Sequence, residues 1–99
     1  MTIFISHMTV KVQPGKRSEA INAFTSRGVF EECAAAVPGF IRGRILVSTT
    51  CLDSLCIVAE WQHEHSYYEW TKHPVRDDQV ADLARFLNEA PGNHLFQLM

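Results

Sequence analysis

Three Pro-Gly pairs, Pro14-Gly15, Pro38-Gly39 and Pro91-Gly92, constrain this chain more than any other feature. Proline fixes φ and removes a donor, and glycine accepts the turn that follows, so each pair ends whatever regular element precedes it. Thr2 to Val12 before the first pair alternates with period two. Phe4, Ser6, Met8, Val10 and Val12 share one face, and Ile3, Ile5, His7, Thr9 and Lys11 the other, which predicts a strand. Between the first two pairs, Ala20, Ile21, Phe24, Phe30, Cys33, Ala34 and Val37 recur at helical spacing. One helix is expected from about Lys16 to Val37, with Gly28 as its weak point, at a cost of about 1 kcal/mol relative to alanine.

Phe40 to Leu52 is rich in β-branched residues and predicts a second strand, with a hairpin turn at Asp53-Ser54. Leu55 to Gln62 predicts a third strand, nearly all apolar up to Ala59 and so expected to be covered on both faces. A short helix follows over Ser66 to Lys72, with Ser66 as the expected N-cap and Glu69 at the capping-box offset. Pro74 opens a further helical segment with Val80, Leu83, Ala84 and Leu87 as its apolar face, and His94 to Met99 is the last strand. The order β-α-β-β-α-β predicts a single α+β domain of ferredoxin-like topology over residues 1–99, an antiparallel sheet with helices on one face. Apolar residues are too many on the sheet face away from the helices for contact with water, so a second copy of the sheet is expected there, making a homodimer.

Composition narrows the function classes. Charged residues make up 20% and the formal net charge is −2, with basic residues scattered. Neither nucleic acid nor a membrane is an expected partner. No apolar run approaches the ~20 residues of a membrane span, and the N-terminus lacks a secretory pattern. Cys33, Cys51 and Cys56 have no CxxC spacing. They are expected to be reduced, small buried hydrophobes in a cytoplasmic protein rather than a disulfide or zinc set.

Aromatic and histidine residues concentrate from Ala59 to Pro74, where the third strand hands over to the short helix. Trp61 and Trp70 are candidate pocket walls with N–H donors, and Tyr67 or Tyr68 a candidate O–H donor. His73, and His7 from the first strand, are candidate proton acceptors because imidazole chemistry operates near neutral pH. Each has a plainer use: Trp61 in the core, Trp70 against the last helix, Tyr67 on a wet helix surface, His73 at a helix end, His7 toward solvent or a dimer seam. His63-x-His65 would place two imidazoles on one strand face, but no nearby cysteine or carboxylate completes a metal site, and none is expected. Arg42 and Arg44 alternate on one side of the second strand, best placed to pair with Glu60 across the sheet.

The Val-Gln-Pro-Gly-Lys turn at 12–16, the Val-Pro-Gly-Phe turn at 37–40 and Glu60-Trp61, with Trp70 and Pro74 beyond, resemble the antibiotic biosynthesis monooxygenase (ABM) family of dimeric α/β-barrel proteins. The resemblance spans nearly the whole chain in element order. It implies a homodimer that oxygenates an aromatic, polyketide-like or quinol substrate in a small hydrophobic pocket, without metal or flavin. In that branch a tryptophan on the third strand and a tyrosine on the next helix line the cavity, and Trp61 and Tyr67 match them. In the haem-degrading branch an asparagine on strand one, a tryptophan on the short helix and a later histidine form the site. Trp70 matches the tryptophan, but Met8 stands at the asparagine's place and Val80 at the histidine's. The resulting expectation is catalysis by His73, Tyr67 and His7, with Trp61, Trp70 and Met8 binding a small aromatic ligand. The alternatives are a non-catalytic, haem-binding or haem-degrading relative, or a dimeric ligand-binding module.

Overall fold

A computed structural model describes residues 2–99. Four strands, β1 (Phe4–Lys11), β2 (Phe40–Val47), β3 (Ser54–Trp61) and β4 (Gly92–Gln97), form one antiparallel sheet in the order β2-β3-β1-β4. The described residues also form four helices, α1 (Arg17–Arg27), α2 (Val29–Ala36), α3 (Glu64–Thr71) and α4 (Pro74–Ala84). The topology is the ferredoxin-like α+β arrangement that the element order predicts. The near-continuous apolar run in β3 puts it at the centre of the sheet, where Leu55 and Val58, pointing to opposite faces, are both buried.

The expected long helix is two helices. Gly28 adopts φ 75° and ψ 48°, the left-handed conformation that ends helices, and its N–H donates to the Thr25 carbonyl at 3.1 Å. The break re-aims the chain, so that α2 buries Val29 and Cys33 while α1 buries Ala20 and Phe24. Arg27 fastens the joint, with Nε donating to Glu32 Oε1 at 2.7 Å and Nη1 to Asp82 Oδ2 of α4 at 3.0 Å.

Other details also differ from the sequence expectation. β2 ends at Val47, because residues 48–53 form a wider turn held by Arg17, whose Nη1 donates to the carbonyls of Ser48, Cys51 and Ser54. Helix α3 starts at Glu64 after His63, so Ser66 is no N-cap. Its side chain is buried against Gly39, where a Cβ would overlap the Ser66 hydroxyl. Cys51 lies exposed in the 48–53 turn instead of in the core.

The register assigns the two sheet faces. Phe4, Ser6, Met8 and Val10 of β1 pair with Trp61, Ala59, Ile57 and Leu55 of β3, all facing the helices. A β-bulge between Phe40 and Arg42 changes the alternation in β2. It lets Phe40 stand beside Trp61 on the helix face while Arg42 stands beside Glu60 on the other. Two core clusters form under the helices. One is built on Val10, Val12, Phe24 and Leu83, the other on Cys33, Val37, Ala59 and Trp61.

The opposite face carries Val58, Leu46, His7 and Phe96, with Leu46 and Phe96 about half exposed. Glu60 is buried there, its carboxylate accepting from Arg42 Nε at 2.7 Å and Arg44 Nη2 at 3.1 Å. This is the cross-strand pairing expected from the spacing. Among the described residues, no helix is long and apolar enough to cross a membrane.

Candidate functional site

The two core clusters do not close completely on each other. A partly open cavity of about 60 Å³ remains between them, floored by Ser6, Met8 and Ala59 and walled by Phe30, Trp61 and Trp70. Phe24, Cys33 and Tyr67 add apolar or half-buried surface, and α4 contributes Arg76, Gln79 and Val80. A wider depression of about 610 Å³ lies at one end of the sheet and includes Thr9, Lys11, Leu46 and Cys56. Those four belong to the uncovered sheet face, so it is open surface rather than an enclosed site.

Trp61 is fully buried, and its Nε1 donates to Ser6 Oγ at 2.9 Å. Its indole N–H is therefore committed within the protein; Trp61 is both core residue and cavity wall, with its donor unavailable to a ligand. Tyr67 meets it edge-on, ring centroids 6.0 Å apart. Burial pushes the Tyr67 phenol above its ordinary range, partly offset by the Arg76 charge. At neutral pH this hydroxyl is a donor and not a base. Trp70 is half-buried, with its ring stacked on His73 at 6.1 Å and 22°. Met8 and Val80 also line the cavity.

The structure places the two candidate bases at a helix cap and on the far side of the sheet. His73 Nδ1 accepts from the Val75 N–H at 3.1 Å and caps α4, and the residue does not line the cavity. His7 lies between Ser6 and Met8, so its main chain runs along the cavity floor while its imidazole is on the other sheet face, edge-on to Phe96 at 5.2 Å. Tyr68 is exposed. His63 and His65 stack at 4.9 Å on the exposed start of α3, and no group of three or more possible metal ligands occurs among the described residues.

Arg76, Gln79 and Asn93 supply polar character that the sequence reading missed. Arg76 Nη2 donates to Asn93 Oδ1 at 3.4 Å, tying α4 to β4 at the cavity. Buried Gln79 donates from Nε2 to the Val29 carbonyl at 3.1 Å and to Glu32 Oε1 at 3.0 Å. Two acceptors around one end of the amide identify that end as nitrogen and turn the carbonyl the other way. The available signal was the helical spacing from Arg76 and Gln79 to Val80 and Leu83, which puts polar and apolar side chains on neighbouring stripes of one helix. Met8 and Val80 line the cavity where the haem-degrading pattern has its asparagine and histidine, so that pattern's residues are not assembled here.

An antiparallel sheet with helices on one face and an aromatic-lined cavity beneath them defines an α+β domain of ferredoxin-like fold. A family model described as antibiotic biosynthesis monooxygenase matches residues 3–78, and the chain belongs to that family. Solved structures share the fold. A monooxygenase from the gene ActVA-Orf6 of Streptomyces coelicolor, in complex with the ligand nanaomycin D, is 22% identical with TM-score 0.82, covering 97% of this chain and 87% of its own. A Bordetella bronchiseptica protein provisionally assigned to antibiotic biosynthesis monooxygenases has 14% identity and TM-score 0.84, covering 100% and 99%. A conserved Methanosarcina mazei Go1 protein has 18% identity and TM-score 0.78, covering 97% and 92%. A search of curated proteins finds no match.

Proposed function

We propose that this protein is a monooxygenase that oxidises an aromatic phenol, quinol or related carbon acid in the cavity beneath α2, α3 and α4, with the substrate as the source of electrons. The observation that carries the reading is the composition of that cavity. Aromatic walls from Trp61, Tyr67 and Trp70 stand beside the Arg76 guanidinium and the Tyr67 hydroxyl. Aromatic faces hold a planar ring, and a cation with a protonated phenol stabilises the oxyanion left when the ring's acidic proton departs. The family membership and the bound ligand named for the Streptomyces coelicolor structure lend support.

The chemistry balances without a further reductant when the reacting centre is an activated CH₂, or the ring CH ortho or para to a phenol oxygen, whose keto tautomer is such a CH₂. The carbanion transfers electrons to O₂, a C–O bond forms, and loss of water from the resulting hydroperoxide leaves a C=O. One oxygen atom enters the product and the other leaves as water. The protein contributes orientation, anion stabilisation and exclusion of bulk water.

A second copy of the chain covering the sheet face with Leu46, Val58 and Phe96 belongs to the same proposal, since that face leaves large apolar side chains exposed. Oxygen uptake with a panel of single-ring hydroquinones, measured after chelation and without flavin, tests the activity. Turnover that Arg76→Leu and Tyr67→Phe reduce supports it, and absence of oxygen consumption with every member of the panel refutes it. Sedimentation equilibrium at micromolar concentration tests the assembly, with a monomer as the refuting result.

A further inference from the structure

Phe30 of α2 lines the cavity, and its ring lies over Gly43 of β2. A Cβ at position 43 would overlap the ring carbons Cδ1 and Cε1 of Phe30, and the nearest atoms to it all belong to that ring. The absent side chain at 43 is thus the seat that lets Phe30 lie flat on the sheet. Phe40, at a centroid distance of 6.4 Å, supports the ring from the side. Gly28, immediately before α2, sets the helix start that directs Phe30 to this place.

The size of the cavity gives this wall its consequence. An apolar cavity of about 150 Å³ accommodates benzene, and pockets for larger organic ligands run to roughly 300–1,000 Å³. At about 60 Å³ the cavity is smaller than either, although its open side allows part of a ring to remain at the mouth. A single ring entering edge-first requires small adjustments of half-buried side chains such as Trp70. A fused pair requires the displacement of a wall. Trp61 is fully buried and hydrogen-bonded to Ser6, while Phe30 is only half-buried and held by packing alone, so Phe30 is the wall that decides.

We infer that Phe30, seated on Gly43, is the specificity-determining residue of this site and limits it to single-ring phenols or quinols. This rests on the proposed function, because it takes the cavity as the substrate site. Truncation of Phe30 to alanine removes roughly a benzene ring's volume and brings the space to the scale that holds a whole ring, so that a fused pair can seat one ring inside and leave the other at the open mouth. A methyl group at position 43 acts in the opposite sense, since it lifts the Phe30 ring into the cavity.

Isothermal titration with phenol and with naphthol tests the inference on the intact protein, using wild type, Phe30→Ala, Gly43→Ala and the double variant, each checked for folding by circular dichroism. Wild type is expected to prefer phenol. Phe30→Ala should shift the phenol-to-naphthol affinity ratio at least tenfold toward naphthol. Gly43→Ala should weaken phenol binding at least tenfold, and the double variant should recover it, because the displaced ring is gone. A purely structural role for the pair predicts losses of one sign and no recovery. A wild type that binds both ligands equally, or a Phe30→Ala ratio within twofold of wild type, overturns the inference and leaves the proposed function standing. Binding of neither ligand by wild type and by Phe30→Ala overturns both. If Gly43→Ala does not fold, the Phe30→Ala ratio alone decides.

Discussion

The bond from Trp61 Nε1 to Ser6 Oγ is a buried polar contact shared by the core and the cavity, and a double-mutant cycle measures it. Trp61→Phe removes roughly 40 Å³ of side chain, and at ~24 cal/mol per Å³ of residual cavity this costs about 1 kcal/mol. It also deprives the buried Ser6 hydroxyl of its donor at 2.9 Å, a further loss of about 1–2 kcal/mol. The total of about 2–3 kcal/mol is large for a small domain. At a urea slope of ~1 kcal/mol per M it lowers the unfolding midpoint by about 2–3 M. Ser6→Ala leaves the indole N–H buried without an acceptor and is expected to cost about 1–3 kcal/mol. Both single variants lose the same bond, so the double variant should be more stable than the sum of the singles implies, by about 1 kcal/mol or more. Urea titrations at one fixed protein concentration keep any association constant across the set. Additive effects, within ~0.3–0.5 kcal/mol, would refute the claim that Ser6 is the partner that locks this indole.

Gly28→Ala forces a Cβ into φ 75° and is expected to destabilise by about 1–2 kcal/mol, read as a lower urea midpoint with unchanged helix content. Iodoacetamide should label Cys51 well before Cys33, followed by mass spectrometry of digests. Cys51 is exposed, and hydrogen bonds from Ser54 and the Asp53 backbone hold its thiol below the ordinary range, whereas burial pushes Cys33 up to about 12. Glu32 is held below the usual carboxylate range, mainly by the hydrogen bond from Arg27, so its contribution is present above the unfolded-state pKa and is lost as pH falls through the lower folded-state value. Acid titration of wild type should therefore show a loss of stability that Glu32→Gln flattens. An equal acid dependence in the two proteins would remove Glu32 as its source.

Most of the fold was legible because it is written in local chemistry. The Pro-Gly pairs, the period-two alternation of β1 and the apolar run of β3 fix element order, and element order leaves few topologies. Boundaries that depend on tertiary contacts were not. Ser66 has the composition of an N-cap, yet its hydroxyl is needed in the small space above Gly39, and no local pattern announces that. The 48–53 turn is wider than expected because Arg17, distant in sequence, satisfies three of its carbonyls. In the site, the aromatic walls followed from strand and helix phase, while the histidine roles required geometry. His73 is one residue before a helix that needs a cap, and His7 is one residue out of phase with the cavity floor. The bulge at Phe40/Arg42, which puts an aromatic and an arginine on opposite faces despite their spacing, has no sequence mark of its own.

Under the proposed function, the placement of the histidines bears on what kind of substrate the cavity would process. Among the cavity-lining side chains that ionise, Tyr67 keeps its proton to higher pH than usual, Cys33 titrates only near about 12, and Arg76 is a cation. All three can donate to or stabilise an anion, and none is available to take a proton at neutral pH. His73 has one ring nitrogen engaged in capping α4, and the His7 imidazole is across the sheet. The energetic contribution of such a site is therefore to lower the acidity barrier of the substrate by stabilising its conjugate base, with the proton leaving to water at the open mouth. Substrates whose own hydroxyl or CH₂ is already acidic gain most, because the charge that Arg76 and Tyr67 meet is then present in a larger fraction of bound molecules. On this reasoning the rate rises with pH through the ionisation of the bound substrate, and the midpoint moves with the substrate's own pKa when the ring substituent is changed. A midpoint that stayed fixed across substituents would instead belong to a protein group and would return the role of base to a histidine.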